Sequence, residues 1–416
     1  MTEQIPLGYK KTEIGIIPED WEVKRLGEVG CIIGGGTPNT NKSEYWNGEI
    51  NWFTPTEIGG KKYVLESKRK ISYEGLKYSS AKLLPPGTIL FTSRATIGEV
   101  AVLKKESATN QGFQSIIPKD KDNEFLYYLL LIYKNRFEKI ANGSTFLEIS
   151  PKSIKNFSIQ IPPLSEQRAI ARVLSDFDKL IESLDRLIEK KKLIKKGAMQ
   201  VLLTGKKRLP GFKGEWMRKR LGEVFEIKRG ASPRPINRYT TRNGINWIKI
   251  SDVGNNEKYI TKTEIKITND GAEKSVFVHP NDLLLSNSMS YGRPYISRIT
   301  GCIHDGWLLL KPKVKLDTEF MYYILRTNEI QKKFNLMAAG SGVNNLKIDS
   351  VSIVNVKIPP TPEEQGAIAK ILSDMDAEIE ALERKKEKYE MMKKGAMELL
   401  LTGKIRLKDH INEVLT

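Results

Sequence analysis

The residues best suited to catalysis are too dispersed in this sequence to form a recognisable catalytic or metal site. The three histidines, His279, His304 and His410, lie far apart and form no HExxH zinc motif. The acidic segment PEDWEVK (residues 18–24) resembles a nuclease carboxylate cluster only superficially, because its spacing is too compressed. An exposed loop is the better interpretation of that segment, and we predict neither a metal site nor a bound cofactor for this chain.

Motifs for binding nucleotides and methyl donors are also missing. Gly205-Lys206 and Gly403-Lys404 lack the earlier glycine of a phosphate-binding loop, and the run Gly34-Gly35-Gly36 reads as a flexible turn. The Asn-Pro-Pro-aromatic motif of amino-methyltransferases is absent, since both Pro-Pro pairs follow isoleucine. A stand-alone nuclease or methyltransferase is therefore disfavoured, and activity of the purified chain alone would reveal one.

The charge balance indicates a polyanionic partner. The 416 residues include 68 Lys and Arg against 50 Asp and Glu, which gives a formal net charge of +18. A surplus of this sign is typical of proteins that bind nucleic acid. A basic surface that binds nothing in particular is the alternative.

Polar and basic side chains beside glycines, where loops leave predicted strands, are the candidates for contact with DNA bases. Arginine suits the O6 and N7 atoms of guanine, and Asn or Gln suits the N6 and N7 atoms of adenine. Each candidate could instead be a solvated residue or part of a turn. They are Thr37, Asn39, Ser93, Arg94, Thr96 and Gln111 in the first half, and Ser232, Arg234, Asn287, Ser290, Arg293 and Asp305 in the second. Phosphate contacts, which set affinity more than sequence preference, are predicted for Lys61, Lys62, Lys228 and Lys249.

The elements that must position these residues come in two copies. Residues 174–209 align without a gap to residues 372–407, and more than half of the aligned positions are identical. Shorter matches, RLGEV at Arg25 and Arg220 and IPP at Ile161 and Ile358, keep the same order. The repeat predicts a tandem of two units, each a divergent globular part followed by a helical part.

Each globular part is predicted to be a mixed α/β (α+β) domain of about 150 residues. Apolar runs predict strands at residues 88–93, 98–103 and 113–118, and their counterparts at 282–287, 295–299 and 307–312. Helical spacing predicts one helix over Asn123–Ile140 and its counterpart from Glu319 to Asn335. We place the two globular parts at residues 1–162 and 208–359, and the two helical parts at 163–207 and 360–416.

Heptad spacing predicts that each helical part is one long helix with an apolar seam. Pro162-Pro163 and Pro359-Pro360 mark the helix starts, and Gly205 and Gly403 lie just past the ends. About 39 residues at ~1.5 Å each give a rod of roughly 58 Å. The seam residues are Ile170, Phe177 and Leu184 in the first helix and Ile368, Met375 and Leu382 in the second. The series Val173, Leu180, Leu187, Ile194 and Val201 is predicted to join the first seam, with Leu174, Ile181 and Ile188 beside it.

The direction of the chain predicts that the two helices pair antiparallel, so that the globular parts are related by a pseudo-two-fold axis. Duplex DNA has the same symmetry, which would let each domain meet one half-site. The alternative is a coiled coil that only stabilises the fold or forms a homodimer.

No apolar run approaches the ~20 residues of a membrane span and no signal peptide is evident, which favours the cytoplasm. Two cysteines, Cys31 and Cys302, are too few for a disulfide framework.

Several longer motifs are specific enough to compare with a known family. They are GYKKTEIGIIPEDWEVKRLGEV from Gly8, the pair IPPLSEQRAIARVLS and IPPTPEEQGAIAKILS, the pair KKGAMQVLLTGK and KKGAMELLLTGK, and RLPGFKGEW from Arg208. Through these motifs the sequence resembles, over essentially its whole length, the DNA specificity subunits of type I restriction-modification systems. The family's target domains vary by nature, so the resemblance transfers no individual base contact to this chain.

The resemblance implies a non-catalytic subunit with two target recognition domains that read the halves of a split, asymmetric site in double-stranded DNA. Its paired helices would act as a spacer and as the docking surface for two modification subunits. Those subunits would carry the S-adenosylmethionine chemistry, while separate restriction subunits would use ATP and magnesium. A coiled-coil scaffold, or a DNA-binding protein outside restriction-modification, is the alternative.

Overall fold

The computed structural model describes residues 5–142, 147–255, 257–288, 291–339 and 345–407. The chain forms two compact units. The first contains the residues up to Asp185 together with those from Arg384 onward, and the second runs from Arg186 to Glu383. Each unit therefore consists of one globular part and one half of each of the helices Leu164–Leu202 and Pro362–Leu401.

In its described residues, the first globular part has twelve strands and five short α-helices, and a long helix follows it. The strands are β1 (Tyr9–Thr12), β2 (Gly15–Pro18), β3 (Glu22–Arg25), β4 (Gly30–Gly34), β5 (Trp46–Phe53), β6 (Tyr63–Val64), β7 (Arg69–Ile71), β8 (Ile89–Phe91), β9 (Val100–Leu103), β10 (Ser107–Thr109), β11 (Gln114–Pro118) and β12 (Ser158–Ile161). The helices are α1 (Leu26–Val29), α2 (Tyr73–Lys77), α3 (Asn123–Ile132), α4 (Lys134–Ile140), α5 (Pro151–Lys155) and the long α6 (Leu164–Leu202).

The second globular part repeats this order of elements across its described residues. Its strands are β13 (Met217–Arg220), β14 (Phe225–Arg229), β15 (Thr240–Thr241), β16 (Ile245–Ile248), β17 (Tyr259–Ile260), β18 (Ile265–Ile267), β19 (Val276–Val278), β20 (Leu283–Ser286), β21 (Pro294–Ser297), β22 (Gly301–Ile303), β23 (Trp307–Pro312) and β24 (Asn355–Ile358). The helices are α7 (Leu221–Val224), α8 (Asn269–Glu273), α9 (Thr318–Leu325), α10 (Asn328–Ala339), α11 (Ile348–Ser352) and the long α12 (Pro362–Leu401).

The same central sheet occurs in both units. Its strand order is β4-β11-β8-β9-β6 in the first unit and β14-β23-β20-β21-β17 in the second. Among the described strands of these two central sheets, only the edge strands β6 and β17 run parallel to their neighbours. A second sheet contains β10-β5-β7 in the first unit and the equivalent β22-β16-β18 in the second, where β15 and β19 extend it. The predicted mixed α/β class is confirmed.

All six predicted strands are present, and each central sheet is buried on both faces. In β8, Ile89 and Phe91 belong to the main core with α3, while Leu90 packs on the other face with Phe53 and Phe113. Continuous apolar runs are typical of strands covered on both sides. This burial explains why the runs stand out in the sequence.

The single helix predicted over Asn123–Ile140 is wrong, because the structure breaks it into α3 and α4 at Tyr133. The Tyr133 hydroxyl donates to the side-chain oxygen of Gln160. The break directs Phe137 into the core, where its ring contacts those of Phe91 and Phe157. The counterpart is broken in the same way, between α9 and α10. Helical spacing alone did not reveal either break, because the apolar residues on both sides of it face the same core.

The two long helices begin and end where the sequence predicts. Helix α6 starts directly after Pro163, and the side chain of Gln167 donates to the carbonyl of Pro162 at 2.8 Å. Beyond the two helix ends, Gly205 and Gly403 have φ of +69° and +73°, a left-handed conformation that glycine adopts without strain. No described helix is long and apolar enough to cross a membrane.

Within each unit the two long helices run antiparallel. In the first unit, Asp178 and Asp185 of α6 pair with Lys393 and Lys386 of α12 at 2.5 and 2.6 Å. In the second unit, Lys191 pairs with Glu378 at 2.6 Å and Lys195 pairs with Asp376. Residue numbers rise along α6 as they fall along α12, so each unit satisfies the antiparallel prediction.

The seam of α6 differs in part from the prediction. Ile170, Leu184, Leu174 and Ile188 are buried, with Phe177 half-buried between them. In the predicted extension of the seam, Val173 and Leu180 are half-buried. The extension is wrong for its later members, because Leu187, Ile194 and Val201 are exposed to 38%, 47% and 36%. Beyond Ile188 the seam continues through Lys191 and Lys195, whose ammonium groups meet carboxylates of α12. In α12, Ile368 is buried, and Met375 and Leu382 are half-buried.

Candidate nucleic-acid interface

Three loops of the first unit converge at one end of its central sheet. The Gly36 amide donates to the Thr109 carbonyl at 2.8 Å, and the Ser93 amide donates to the Gly112 carbonyl at 2.8 Å. The Thr37 hydroxyl donates to the side-chain oxygen of Gln111. Two candidate side chains that are 74 residues apart in sequence therefore lie side by side, both exposed.

Two tryptophans of β5 hold the first of these loops in place. The indole nitrogen of Trp52 donates to the Gly36 carbonyl at 2.9 Å, and that of Trp46 donates to the Asn39 carbonyl at 3.2 Å. The Asn39 side chain accepts from the Asn41 amide at 3.0 Å and is exposed. Thr37 and Asn39 thus project from a loop whose backbone is held by hydrogen bonds from the two tryptophans. A loop that contacts DNA bases requires a backbone that is fixed in this way.

The turn between β8 and β9 supplies Arg94 and Thr96, both exposed. Arg94 forms an ion pair with Glu148 at 2.7 Å and is 45% exposed. The expectation for Ser93 is corrected, because Ser93 is fully buried and its hydroxyl donates to the Gly112 carbonyl at 3.3 Å. Ser93 supports this turn and cannot reach a base from its position.

The second unit builds the same arrangement with different side chains. The Ser232 hydroxyl donates to the Asp305 carboxylate at 2.8 Å, which repeats the Thr37 and Gln111 contact. Arg234 lies 3.7 Å from the same carboxylate and is 80% exposed. Arg229 donates to the Asp305 carbonyl at 3.0 Å. Ser232, Arg234 and Asp305 therefore form one polar group. Their positions in the sequence do not predict this grouping.

His304 belongs to this group, although it was not among the residues predicted to contact DNA. The Gly306 amide donates to His304 Nδ1 at 2.8 Å, so Nε2 carries the proton and donates to Asp305 at 2.8 Å. Burial lowers the pKa of His304 below 6.5 and outweighs the opposite effect of Asp305. The repeat contained a signal for this residue, because Asn110 occupies the equivalent turn and accepts from the Gly112 amide in the same way.

The other candidates of the second unit are less accessible. Asn287 is 1% exposed and donates to the Asp305 carbonyl at 3.0 Å, so the expectation that it contacts a base is corrected. Arg293 is half-buried beside Tyr295, where its guanidinium opposes the rise in the Tyr295 pKa that burial causes. Ser290 lies outside the described residues.

The four lysines predicted to bind phosphate fall into different environments. Lys61 is exposed, Lys228 pairs with Glu226 at 3.0 Å, and Lys249 pairs with Glu264 at 3.3 Å. The prediction for Lys62 is corrected, because its side chain is only 9% exposed and forms an ion pair inside the protein. A lysine that is already bonded on its inner side cannot also bind a phosphate at the surface.

A cluster of aromatic and cationic side chains, which the sequence did not predict, adjoins the loops of the first unit. The Arg69 guanidinium lies 3.8 Å from the centroid of the Trp46 ring, and Lys42 lies 5.0 Å from that of Tyr45. Such contacts hold cations at a surface without neutralising them. The described residues contain no group of three or more His, Cys, Asp or Glu side chains suited to a metal ion. Cys31 and Cys302 are both free thiols.

Comparisons with known proteins agree on one family. A model of the type I restriction modification DNA specificity domain matches residues 18–192 and again residues 213–390. The MjaIX type I restriction enzyme specificity subunit of Methanocaldococcus jannaschii is 31% identical over 85% of this chain and 86% of its own length. The putative MjaX specificity subunit of the same organism is 32% identical over 96% of this chain and 97% of its own length.

Solved structures support the fold. The S subunit of a type I restriction-modification system from M. genitalium aligns with a TM-score of 0.59 at 18% identity, over 91% of this chain and 96% of its own. A chain from a study of complex assembly in a type I restriction-modification system aligns with a TM-score of 0.60 at 19% identity, over 94% and 99%. With both units matched, this chain belongs to the type I restriction-modification DNA specificity subunits, the non-catalytic DNA-recognition components of restriction-modification complexes.

Proposed function

We propose that this chain recognises a bipartite, asymmetric site in double-stranded DNA, one half-site per unit, and acts in the cytoplasm. One observation carries the proposal: the same set of converging loops occurs twice, with different side chains at equivalent positions. Thr37 and Gln111 in the first unit correspond to Ser232 and Asp305 in the second. Equivalent architecture with different chemistry is what an asymmetric site with two halves requires.

The side chains differ in the bases that they suit. An amide such as that of Gln111 matches adenine, whereas a carboxylate such as that of Asp305 accepts from the amino group of cytosine. The exposed Arg94 and Arg234 suit guanine. Exposed lysines such as Lys61, together with the net charge of +18, supply attraction to the phosphate backbone that is independent of sequence.

A methylation map tests this proposal directly. Modified bases are mapped across the genome of a host that expresses the cognate modification subunits, with and without this chain. We expect methylation at a two-part motif that depends on the chain. Methylation of the same motif without the chain would refute the proposal.

We propose in addition that each unit docks one modification subunit through an apolar patch on its long helices. Leu193, Ile194 and Val201 of α6 are exposed to 67%, 47% and 36%. Their repeat equivalents Met391, Met392 and Leu399 of α12 are exposed to 63%, 46% and 37%. The first patch lies in the second unit and the second patch in the first unit, so two matching surfaces serve two matching partners.

Native mass spectrometry of the reconstituted complex tests the docking patches. We expect Ile194→Asp to leave one modification subunit bound, and Ile194→Asp with Met392→Asp to leave none. The apolar replacements Ile194→Leu and Met392→Leu are the matched control and retain two subunits. Full assembly of the double Asp variant would place docking elsewhere. S-adenosylmethionine on the modification subunits, and ATP with magnesium on the restriction subunits, complete the proposed complex.

A further inference from the structure

A partly buried polar cluster joins the globular part of the first unit to its long helices. The Lys62 ammonium, which precedes the edge strand β6, donates to Glu124 at 2.8 Å, to the Tyr128 hydroxyl at 3.0 Å and to the Ser175 hydroxyl at 2.6 Å. Glu124 and Tyr128 lie on α3, and Ser175 lies on α6. All three protons of the ammonium are thus directed at partners on two other elements.

The cluster continues to the second long helix. The Tyr128 hydroxyl donates to the Asp178 carboxylate of α6, and Lys393 of α12 pairs with the same carboxylate at 2.5 Å. The Ser175 hydroxyl also donates to Glu124 at 2.7 Å. A single network of hydrogen bonds therefore links the edge of the central sheet, α3, α6 and α12 within this unit.

The second unit contains the same network with the same residue types. Lys258 donates to Glu319 at 3.0 Å, to Tyr323 at 3.1 Å and to Ser373 at 2.9 Å. The Tyr323 hydroxyl donates to Asp376 at 2.6 Å, and Lys195 completes the network with an ion pair to Asp376. The side chains of the converging loops differ between the two units, whereas the residue types of this network are the same in both. The network therefore serves a requirement that both units share.

Net stability does not by itself explain a network of this kind. The Lys62 and Lys258 side chains are only 9% and 10% exposed. Burial would raise the pKa of Glu124, but hydrogen bonds from Lys62, Tyr63 and Ser175 outweigh it and lower the pKa to about 2. Desolvating two charges cancels most of what their attraction contributes, so an apolar cluster would stabilise a fold at least as well. Directional bonds instead specify one relative placement of the elements that they join.

We propose that the two clusters consist of positioning residues, which fix each recognition domain on its pair of long helices. The clusters are Lys62-Glu124-Tyr128-Ser175-Asp178-Lys393 in the first unit and Lys258-Glu319-Tyr323-Ser373-Asp376-Lys195 in the second. This inference rests on the proposed bipartite recognition. If each recognition domain is held in one position on its helices, the complex can bind only one spacing between half-sites. The reason is that one base pair more or less moves a half-site by ~3.4 Å along the DNA axis and turns it by about 35°. If a recognition domain can shift on its helices, the complex also accepts spacers that are one base pair longer or shorter, while it still recognises the sequence of each half-site.

The test compares methylation maps made with the full complex that contains either the wild-type chain or the variant Lys62→Met/Glu124→Gln. This variant removes the two charges of the ion pair between Lys62 and Glu124. We expect unchanged half-site sequences and at least a tenfold rise in methylation at spacers one base pair longer or shorter, relative to the normal spacer. The counterpart Lys258→Met/Glu319→Gln is expected to have the same effect. The thermal unfolding midpoint, measured in parallel, separates a positioning role from a loss of fold.

A gentler variant decides the matter if the double variants fail to fold. Tyr128→Phe removes only the hydroxyl that links Lys62 to Asp178. The neighbouring Tyr127→Phe is its matched control, because the hydroxyl of Tyr127 makes none of the hydrogen bonds described for this network. A broadened spacer preference in Tyr128→Phe alone supports the proposal. A single unchanged spacer in folded variants overturns it. A wild-type motif without two halves would instead overturn the proposed function, so the two failures are distinguishable.

Discussion

Arg406 donates two hydrogen bonds to the buried carboxylate of Glu166, from Nε at 2.8 Å and from a terminal nitrogen at 2.7 Å. The Trp21 indole nitrogen donates to the same carboxylate at 3.0 Å. Since Glu166 is 1% exposed, loss of the guanidinium would leave a buried charge without its counter-ion. We expect Arg406→Leu to lower the free energy of unfolding by about 3 kcal/mol, as urea denaturation would measure.

The double variant Arg406→Leu/Glu166→Gln is the control for this prediction. It removes both charges, so most of the lost stability should return. The second unit offers an independent repetition, because Arg208 binds the fully buried Glu364 in the same way, at 2.5 and 2.7 Å. Equal losses in the single and double variants would contradict the interpretation.

Acid should destabilise the fold partly through Glu124 and Glu319. Both carboxyl groups have a pKa of about 2 in the folded protein, below the ordinary 4.5. A lowered folded pKa contributes stability above about pH 4.5 that is lost as the pH falls towards 2. We therefore expect Glu124→Gln/Glu319→Gln to melt below wild type at pH 7, with the difference shrinking between pH 4.5 and 2.5. A constant difference across that range would contradict this assignment.

Arg94 provides the sharpest test of base contact in the first unit. We expect Arg94→Ala to relax one base of the first half-site, at a cost of about 1–3 kcal/mol in discrimination, and to leave the second half intact. The methylation map measures both effects at once. Glu148→Gln, which removes the ion-pair partner but keeps the arginine, is the matched control and should preserve the motif. Unchanged specificity of Arg94→Ala at every position would remove Arg94 from the interface.

The length of the long helices should set the spacer between half-sites. Deleting residues 182–188 and the equivalent 380–386 removes one heptad from each helix and eliminates Asp185 and Lys386 as a pair. The rods shorten by ~10.5 Å, and at ~3.4 Å per base pair we expect a spacer about three base pairs shorter, with both half-sites unchanged. A methylation map with the original spacer would exclude a role of the helices as a ruler.

Much of the fold could be predicted from the sequence because its strongest signals are local. Proline and glycine at the ends of α6 and α12 act on the backbone beside them, and the apolar runs of β8 and β20 record burial on both faces. The break at Tyr133 depends on a partner 27 residues away, Gln160, which no helical periodicity contains. The domain boundaries after residues 162, 207 and 359 stay predictions.

The candidate site was harder to predict, because residue type does not determine which side of a loop faces solvent. Ser93 and Asn287 stand at equivalent positions and are both buried beneath the turns that we expected them to decorate. Lys62 is directed inward by Glu124, which lies 62 residues away. Leu187, Ile194 and Val201 are likewise exposed because Lys191 and Lys195 occupy the seam after Ile188, where they pair with carboxylates of α12. Each of these placements depends on contacts between distant parts of the chain.

The most direct test of two-part recognition is the methylation map of a chimera in which residues 22–161 replace residues 217–358. These segments run between equivalent strand ends, from the start of β3 to the end of β12 and from the start of β13 to the end of β24. Because the helices pair antiparallel, two copies of the first domain should methylate an inverted repeat of the first half-site with the original spacer. A motif that keeps the second half-site, or one that repeats the first half-site in direct orientation, would contradict the account.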